Sequence, residues 1–396
     1  MEQSNENLPT EKMALNVGPA HPATHGALRF FVELDGETIT KASTEIGYLH
    51  RAFEKHSEHS TWSQVIPYTD RLNYCSSLLN NVGYCFAVEK LLEIEIPERA
   101  KFIRVIVSEL ARIMDHLICV STSAVDLGGL TNFWYFFNVR EKIYDFTEKL
   151  CGARLTTNYT RIGGVMRDLS PDFADGIRGV LKDLDKAILD VTRLIERNRI
   201  FMDRTQNVGI LSKEDAISWG FTGPCLRATG VPYDVRKAQP YYYYDTYDFE
   251  IPVGTTGDTY DRLMIRVEEM RQSAKIIEQA LARIPGGPVI SNDPKIALPP
   301  KERVYGSIEG LMNHFMLLID GIKPPKGEVY GAIEAANGEL GFYIVSDGEQ
   351  RPYRIHCRPP CFPICSAFVK MVEGGMIADA IAVLGSLNIV VGELDR

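Results

Sequence analysis

DFADGIRGVLKDLDKAILDVTRLIERNR, Asp172 to Arg199, repeats its apolar residues at helical spacing. Phe173, Ile177, Val180, Leu181, Leu184, Ile188 and Val191 fall on one face of a 3.6-residue turn, with charges on the other. Pro171 at the start fits a first turn, where a missing N–H is tolerated. The spacing predicts a long amphipathic helix, and two further stretches share the pattern. Lys101 to Val120 carries Ile103, Ile106, Leu110, Ile113, Met114 and Leu117 after a start at Pro97. Thr259 to Ile284 runs to a stop at Pro285-Gly286-Gly287. Long helices at this density imply a central bundle. Gly47 to His59 also reads as helix, with Val65-Ile66-Pro67 as a break.

The two ends read differently. Leu28 to Leu34 and Thr38 to Ala42 flank Asp35-Gly36, a β-hairpin pattern. Val329 to Ala335 and Leu340 to Val345 flank Asn337-Gly338, a second hairpin, and Tyr353 to Cys357 offers a third strand. Cys365 to Leu384 returns to helix. The expected fold is α+β and mainly α-helical, with a small N-terminal β-sheet, a central helical bundle and a C-terminal β-hairpin region. Segmentally, 1–12 reads as a flexible tail, 13–65 as hairpin and helix, and 66–290 as the bundle. Residues 291–325 read as connecting loops and helix, and 326–396 as the C-terminal α+β region.

Composition narrows the function. The 396 residues carry a formal charge of −9, which argues against nucleic acid, whose binding needs a basic face. No run of about 18 apolar residues occurs, so no membrane-spanning helix is expected. The opening MEQSNENLPTEK is acidic and lacks an apolar core, unlike a secretory signal or transit peptide. Eight cysteines in a chain of this length read as reduced thiols, some of them packed. The run Tyr241 to Tyr244 reads as packing surface.

Chemistry first shows in GPAHPATHGALR, Gly18 to Arg29. Two histidines, His21 and His25, sit among Gly18, Pro19, Pro22 and Gly26, residues poorly suited to helix. Imidazole exchanges protons near neutral pH, so a loop presenting it suggests proton-coupled chemistry. A histidine in such a loop also serves simply by bonding to backbone, and the loop alone leaves both readings open.

Further segments align with that loop: EIGYLHRAFEK (Glu45–Lys55), PYTDRLNY (Pro67–Tyr74), SELARIMDHL (Ser108–Leu117), VDLGGLTNFWYFFNVRE (Val125–Glu141) and GARLTTNYTRIGGV (Gly152–Val165). GPCLRATGVPYDVRK, DFEIPVGTTGDTYDRLMIRVEEMRQS and LGSLNIVVGELDR follow in the second half. Together, from about Leu15 to Arg396, they resemble the quinone-site subunit of respiratory complex I, the type I NADH:quinone oxidoreductase (the D subunit of the bacterial enzyme). That family is itself similar in fold to the large subunit of [NiFe] hydrogenases.

The resemblance implies a quinone headgroup, ubiquinone or menaquinone, held between His25 and Tyr74, with Asp126 supporting the histidine. It implies Arg51 and Arg71 beside a terminal [4Fe–4S] cluster that a partner subunit holds. No metal or nucleotide is expected on this chain itself. The implied partners are the terminal-cluster subunit, the adjacent C subunit of the peripheral arm and the membrane subunit that delivers quinone. The implied location is peripheral, on the cytoplasmic face of the bacterial inner membrane, with ion translocation belonging to the assembled complex. An equivalent subunit of a ferredoxin- or deazaflavin-dependent energy-converting complex would carry the same residues.

Two positions depart from the family pattern. Thr156 stands where many members have a histidine thought to tie cluster potential to pH, and Asn388 stands where an acidic residue is usual. The hydrogenase chemistry fails on ligands, because its paired C-x-x-C motifs are absent. Cys75 and Cys85 are ten residues apart. Cys357, Cys361 and Cys365 recur every four, but Pro359, Pro360 and Pro363 argue against a regular helix there. His56 and His59 read as surface residues.

Overall fold

The computed structural model describes residues 12–396; the remainder of the expected N-terminal tail lies outside the described residues. Lys12, assigned to that tail, opens a strand instead. Strands β1 (Lys12–Val17), β2 (Arg29–Asp35) and β3 (Thr38–Glu45) form an antiparallel sheet in the order β1-β2-β3. Phe30, Val32 and Leu34 on β2 are buried while Phe31 and Glu33 point outward, the alternation of a half-buried strand. The expected hairpin is β2–β3, closed at Asp35 and Thr38; β1, pairing Val17 with Phe30, is a strand the composition did not signal.

Helix α1 (Phe53–His59) is shorter than expected. Residues 47–52 are loop, because Gly47 and Ala52 both take positive φ, +105° and +54°. The stretch expected to break it forms a short helix, Ile66–Thr69, with Pro67 in its first turn. His56 and His59 are exposed, as read.

The bundle is built on α2 (Ser77–Leu92), α3 (Glu98–Asp126), α4 (Leu130–Cys151), α5 (Phe173–Glu196) and α6 (Thr259–Arg283). α3 is the axis, packed by α2, α4 and α6. Its apolar stripe is buried as expected, but so are Arg104, Glu109, Arg112, Asp115 and His116. Charges at that depth need partners. Arg104 meets Glu89 at 2.6 Å, Arg112 meets Glu109 at 3.1 Å, and His116 meets Glu269 at 2.8 Å. The seven apolar positions read on α5 are all buried. Its cap is Asp172, so Pro171 stands one residue before the cap rather than in the first turn. Tyr241 and Tyr244 pack into the core, as read, and Tyr244 donates its phenol hydrogen to Glu109 Oε1 at 2.7 Å.

After α7 (Ile308–Ile319), strands β4 (Gly327–Ala335), β5 (Gly338–Ser346) and β6 (Arg354–Arg358) form the second antiparallel sheet, packed on α2. Helices α8 (Cys361–Val372) and α9 (Ile377–Leu387) then cover the first sheet. The prolines do not prevent α8: Pro360 caps it and Pro363 lies in its first turn, where no intrahelical N–H is lost. Leu28, Phe30 and Ile39 share one apolar cluster with Phe368, Val383 and Leu387, so the two ends of the described chain form one layer.

Candidate functional site

The loop 18–26 resolves its two histidines into different jobs. His21 caps the turn Pro22–Thr24, its Nδ1 accepting the Ala23 N–H at 3.2 Å. His25 closes that turn with φ +54°, and its Nε2 lies 2.6 Å from Asp126 Oδ2. Asp126 is the final residue of α3. Serine and threonine hydroxyls bonded back to Leu117 and Ile118 carry the helix to that point, and Gly128 at φ +85° ends it. A carboxylate at a helix C-terminus opposes the helix dipole, so a proton-bearing neighbour is favoured there. Gly385 of α9 lies against the pair. A Cβ at that position would stand 3.1 Å from Ser123 Oγ, 3.4 Å from Asp126 Oδ2 and 3.4 Å from His25 Cε1.

Tyr74 opens a 3-10 turn that Asn73 caps by accepting the Cys75 N–H. The other end of Asn73 donates to Asp115 Oδ2 at 2.7 Å, pinning the turn to the bundle axis. Gly392 presses on the same turn; a Cβ there would meet the carbonyls of Arg71 and Leu72 at 2.6 Å. Partial burial, with nearby Cys75 and Asp115, pushes the Tyr74 phenol up to about 12. It therefore stays a hydrogen-bond donor across the neutral range.

His25, Tyr74 and Asp126 line one cavity of about 400 Å³. Its apolar walls are Ile118, Val125, Phe133, Leu155, Ile389 and Val390, and its polar groups include Arg140 and Asn388. A mostly apolar pocket with a few converging donors suits a flat, weakly polar ring. A larger cleft of about 720 Å³ beside Arg193 and Arg197 opens to solvent and gathers no comparable set.

Arg51 and Arg71 also come together. Arg51 donates to the backbone oxygens of Arg71 at 2.9 Å and Gly392 at 2.8 Å, and both arginines line a cavity of about 310 Å³. Burial lowers the Arg51 guanidinium, opposed by Asp395. Beside them Asp70 is fully buried, and that burial lifts its carboxyl to about 6 despite the Asn158 N–H it accepts.

The eight cysteines are free thiols, Cys357 lies on β6 while Cys361 and Cys365 lie on α8, and burial pushes Cys361 well up and Cys365 to about 12. Among the described residues no three of His, Cys, Asp and Glu are grouped to hold a metal. Nor is any described helix long and apolar enough to cross a membrane. Arg140 and Cys75 are cavity residues that sequence reading missed; nothing in NVRE or YCSS separates them from ordinary helix and turn positions.

Residues 126–396 match the family described as respiratory-chain NADH dehydrogenase, 49 Kd subunit. The fused C/D protein of the NADH-quinone oxidoreductase of Bdellovibrio bacteriovorus is 57% identical over 384 residues, 97% of this chain and 69% of that protein. The D subunit from Myxococcus xanthus is 53% identical over 391 residues, covering 98% of this chain and 94% of that one. The D subunit from Leptospira biflexa is 49% identical over 393 residues, covering 99% and 97%. This chain belongs to the complex I 49 kDa subunit family, and its mainly helical architecture is the hydrogenase-large-subunit-like fold of that family.

Proposed function

We propose that this chain is the subunit of a NADH:quinone oxidoreductase that forms the quinone headgroup site, working only within the complex. One observation carries the reading: the His25–Asp126 pair and the Tyr74 phenol open into the same apolar-walled cavity. Reducing a quinone to a quinol takes two electrons and two protons, and each ring oxygen gains charge before its proton arrives. Donors already aimed at such oxygens stabilise that charge without reorganising.

Tyr74 supplies one of the two protons, its phenol donating to one ring oxygen and handing over its hydrogen as the electrons arrive. His25 supplies a mobile proton: with Asp126 accepting from Nε2, Nδ1 is the nitrogen left to face a ligand. The imidazolium gives up its Nδ1 proton, and the neutral ring that remains keeps its Nε2–H on the carboxylate. Asp126 thus fixes which nitrogen acts.

Electrons reach the pocket from a [4Fe–4S] cluster held by a partner subunit. Arg51 and Arg71 form the cationic surface beside it, which favours the reduced cluster. The relative from Bdellovibrio joins the C and D subunits in one protein, which supports the C subunit as a neighbour here. The apolar quinone arrives from a membrane subunit, placing this chain peripherally on the cytoplasmic face of the inner membrane. Ion translocation is a property of the whole complex.

The test is Tyr74→Phe and His25→Ala in the assembled complex, with quinone reduction measured beside reduction of an artificial acceptor. Loss of the first with retention of the second is expected. Undiminished quinone turnover in both variants would leave the pocket without this role.

A further inference from the structure

Arg140 has no counter-ion among the described residues. It lies on α4 and lines the cavity, and only 8% of its surface is exposed. Six other arginines are buried more deeply still: Arg104, Arg112, Arg227, Arg236, Arg262 and Arg266. Each of those donates to a carboxylate, carbonyl or hydroxyl oxygen. Arg140 does not. Among the described residues its Nε has no hydrogen-bond partner, and the guanidinium forms neither a hydrogen bond nor an ion pair.

Its surroundings are aromatic. The guanidinium carbon stands 4.6 Å from the Tyr144 ring centre and 5.4 Å from that of Phe137. Stacking of that kind orients a guanidinium but satisfies none of its five N–H groups. Nearby acids are engaged elsewhere. Glu141, the next residue, pairs with Arg154 at 2.6 Å, and Asp115 accepts from Asn73 and Asn388. Its Nε is buried without a partner and its terminal nitrogens reach the cavity, so the donors of this guanidinium are free for something that enters there.

We infer that Arg140 is a ligand-binding residue of this cavity, donating to a ring oxygen of the quinone alongside His25 or Tyr74. This rests on the proposed quinone site and adds a third anchor to it, from a different helix. The ligand class follows from the donors. It is a ring with oxygen acceptors at separated positions, neutral on entry and accumulating negative charge as it is reduced. A free carboxylate or phosphate fits less well, because the wall is otherwise apolar and Asp126 faces the same space.

The experiment uses the assembled complex carrying Arg140→Gln or Arg140→Lys, and compares KM and kcat for a short-chain quinone with the rate to ferricyanide. Loss of a charged hydrogen bond predicts a KM at least about tenfold higher in Arg140→Gln, with kcat changed much less. Arg140→Lys, which keeps the charge without the fork, should fall between it and the parent. Ferricyanide reduction should be unchanged in both.

A parental quinone KM in Arg140→Gln would overturn the assignment. So would an Arg140→Gln complex that loses subunits while Arg140→Lys assembles with a parental KM, which would mean that the guanidinium pairs with a carboxylate of a neighbouring subunit. If His25→Ala and Tyr74→Phe abolish quinone turnover while Arg140→Gln does not alter KM, this inference alone falls. If none of the three variants affects quinone, the reading of the cavity falls with it.

Discussion

Asn388 Nδ2 lies 2.5 Å from Asp115 Oδ1, and Asn73 Nδ2 holds the other oxygen of the same carboxylate at 2.7 Å. Two amides thus cradle one buried charge at the edge of the cavity. Asn388 also caps α9 at φ +53°, a conformation that asparagine adopts more readily than most residues. Where the family usually places an acid, this chain has a neutral donor that satisfies Asp115 without a counter-charge. Asn388→Asp would set two carboxylates against each other, and one would hold a proton at neutral pH. The variant should lose about 3 kcal/mol of stability at pH 8 and recover most of it near pH 5. Thermal unfolding at the two pH values checks this; a pH-independent loss would point to backbone strain instead.

In the proposed mechanism Asp126 acts through His25 rather than on substrate. Asp126→Asn should lower kcat/KM for quinone about a hundredfold, the range of a disabled general acid. The decisive comparison is the double variant. His25→Ala combined with Asp126→Asn should be no slower than His25→Ala alone, because the two residues form one unit. Additive losses would show that Asp126 has an independent task.

Asp70 gives a stability prediction whose sign is fixed. Its carboxyl is raised to about 6, so the folded chain binds this proton more tightly than the unfolded one. The contribution is greatest below the ordinary carboxylate range and is lost as pH rises through 6. At pH 7.5 the buried charge costs roughly 3 kcal/mol. Asp70→Asn keeps an oxygen for the Asn158 N–H and removes the charge. Its melting temperature should exceed that of the parent at pH 7.5 and match it near pH 4. Equal melting at both values would refute the assignment.

Thr156 lies in the same loop as Asn158, which holds Asp70. With threonine in place of histidine, no imidazole there can link cluster reduction to proton uptake. We expect the midpoint potential of the cluster proposed on the partner to be nearly flat between pH 7 and 8.5, above the range near 6 where Asp70 titrates. Thr156→His should steepen it toward about 59 mV per pH unit, the one-electron, one-proton limit. Redox titration of the complex at three pH values decides it, and a steep slope in the parent would refute the expectation.

How much of this was legible beforehand varied by element. The α5 stripe and the β2–β3 alternation could be read because one face of each is buried and the other wet. α2 could not, since residues on every side of it, from Leu78 to Leu91, are buried and no stripe appears. α4 hid behind Phe133, Trp134, Tyr135, Phe136 and Phe137, residues that favour strands when taken singly. The His25–Asp126 pair spans 101 residues and was reached through the resemblance, not through spacing. Arg140 was invisible because its distinction is what it fails to touch. A missing partner is a property of three dimensions.

The carboxylate of Asp395 accepts the N–H groups of Gly47 and Leu49, and the segment 388–392 floors the cavity and presses on Tyr74. Leu49 and Asp395 are 346 residues apart. During synthesis the segment 47–49 therefore leaves the ribosome long before the Asp395 that holds it, and closure over such a separation is slow. The floor under His25 is thus supplied by the last stretch of the chain to be made, and the cavity takes its shape only when that stretch has docked.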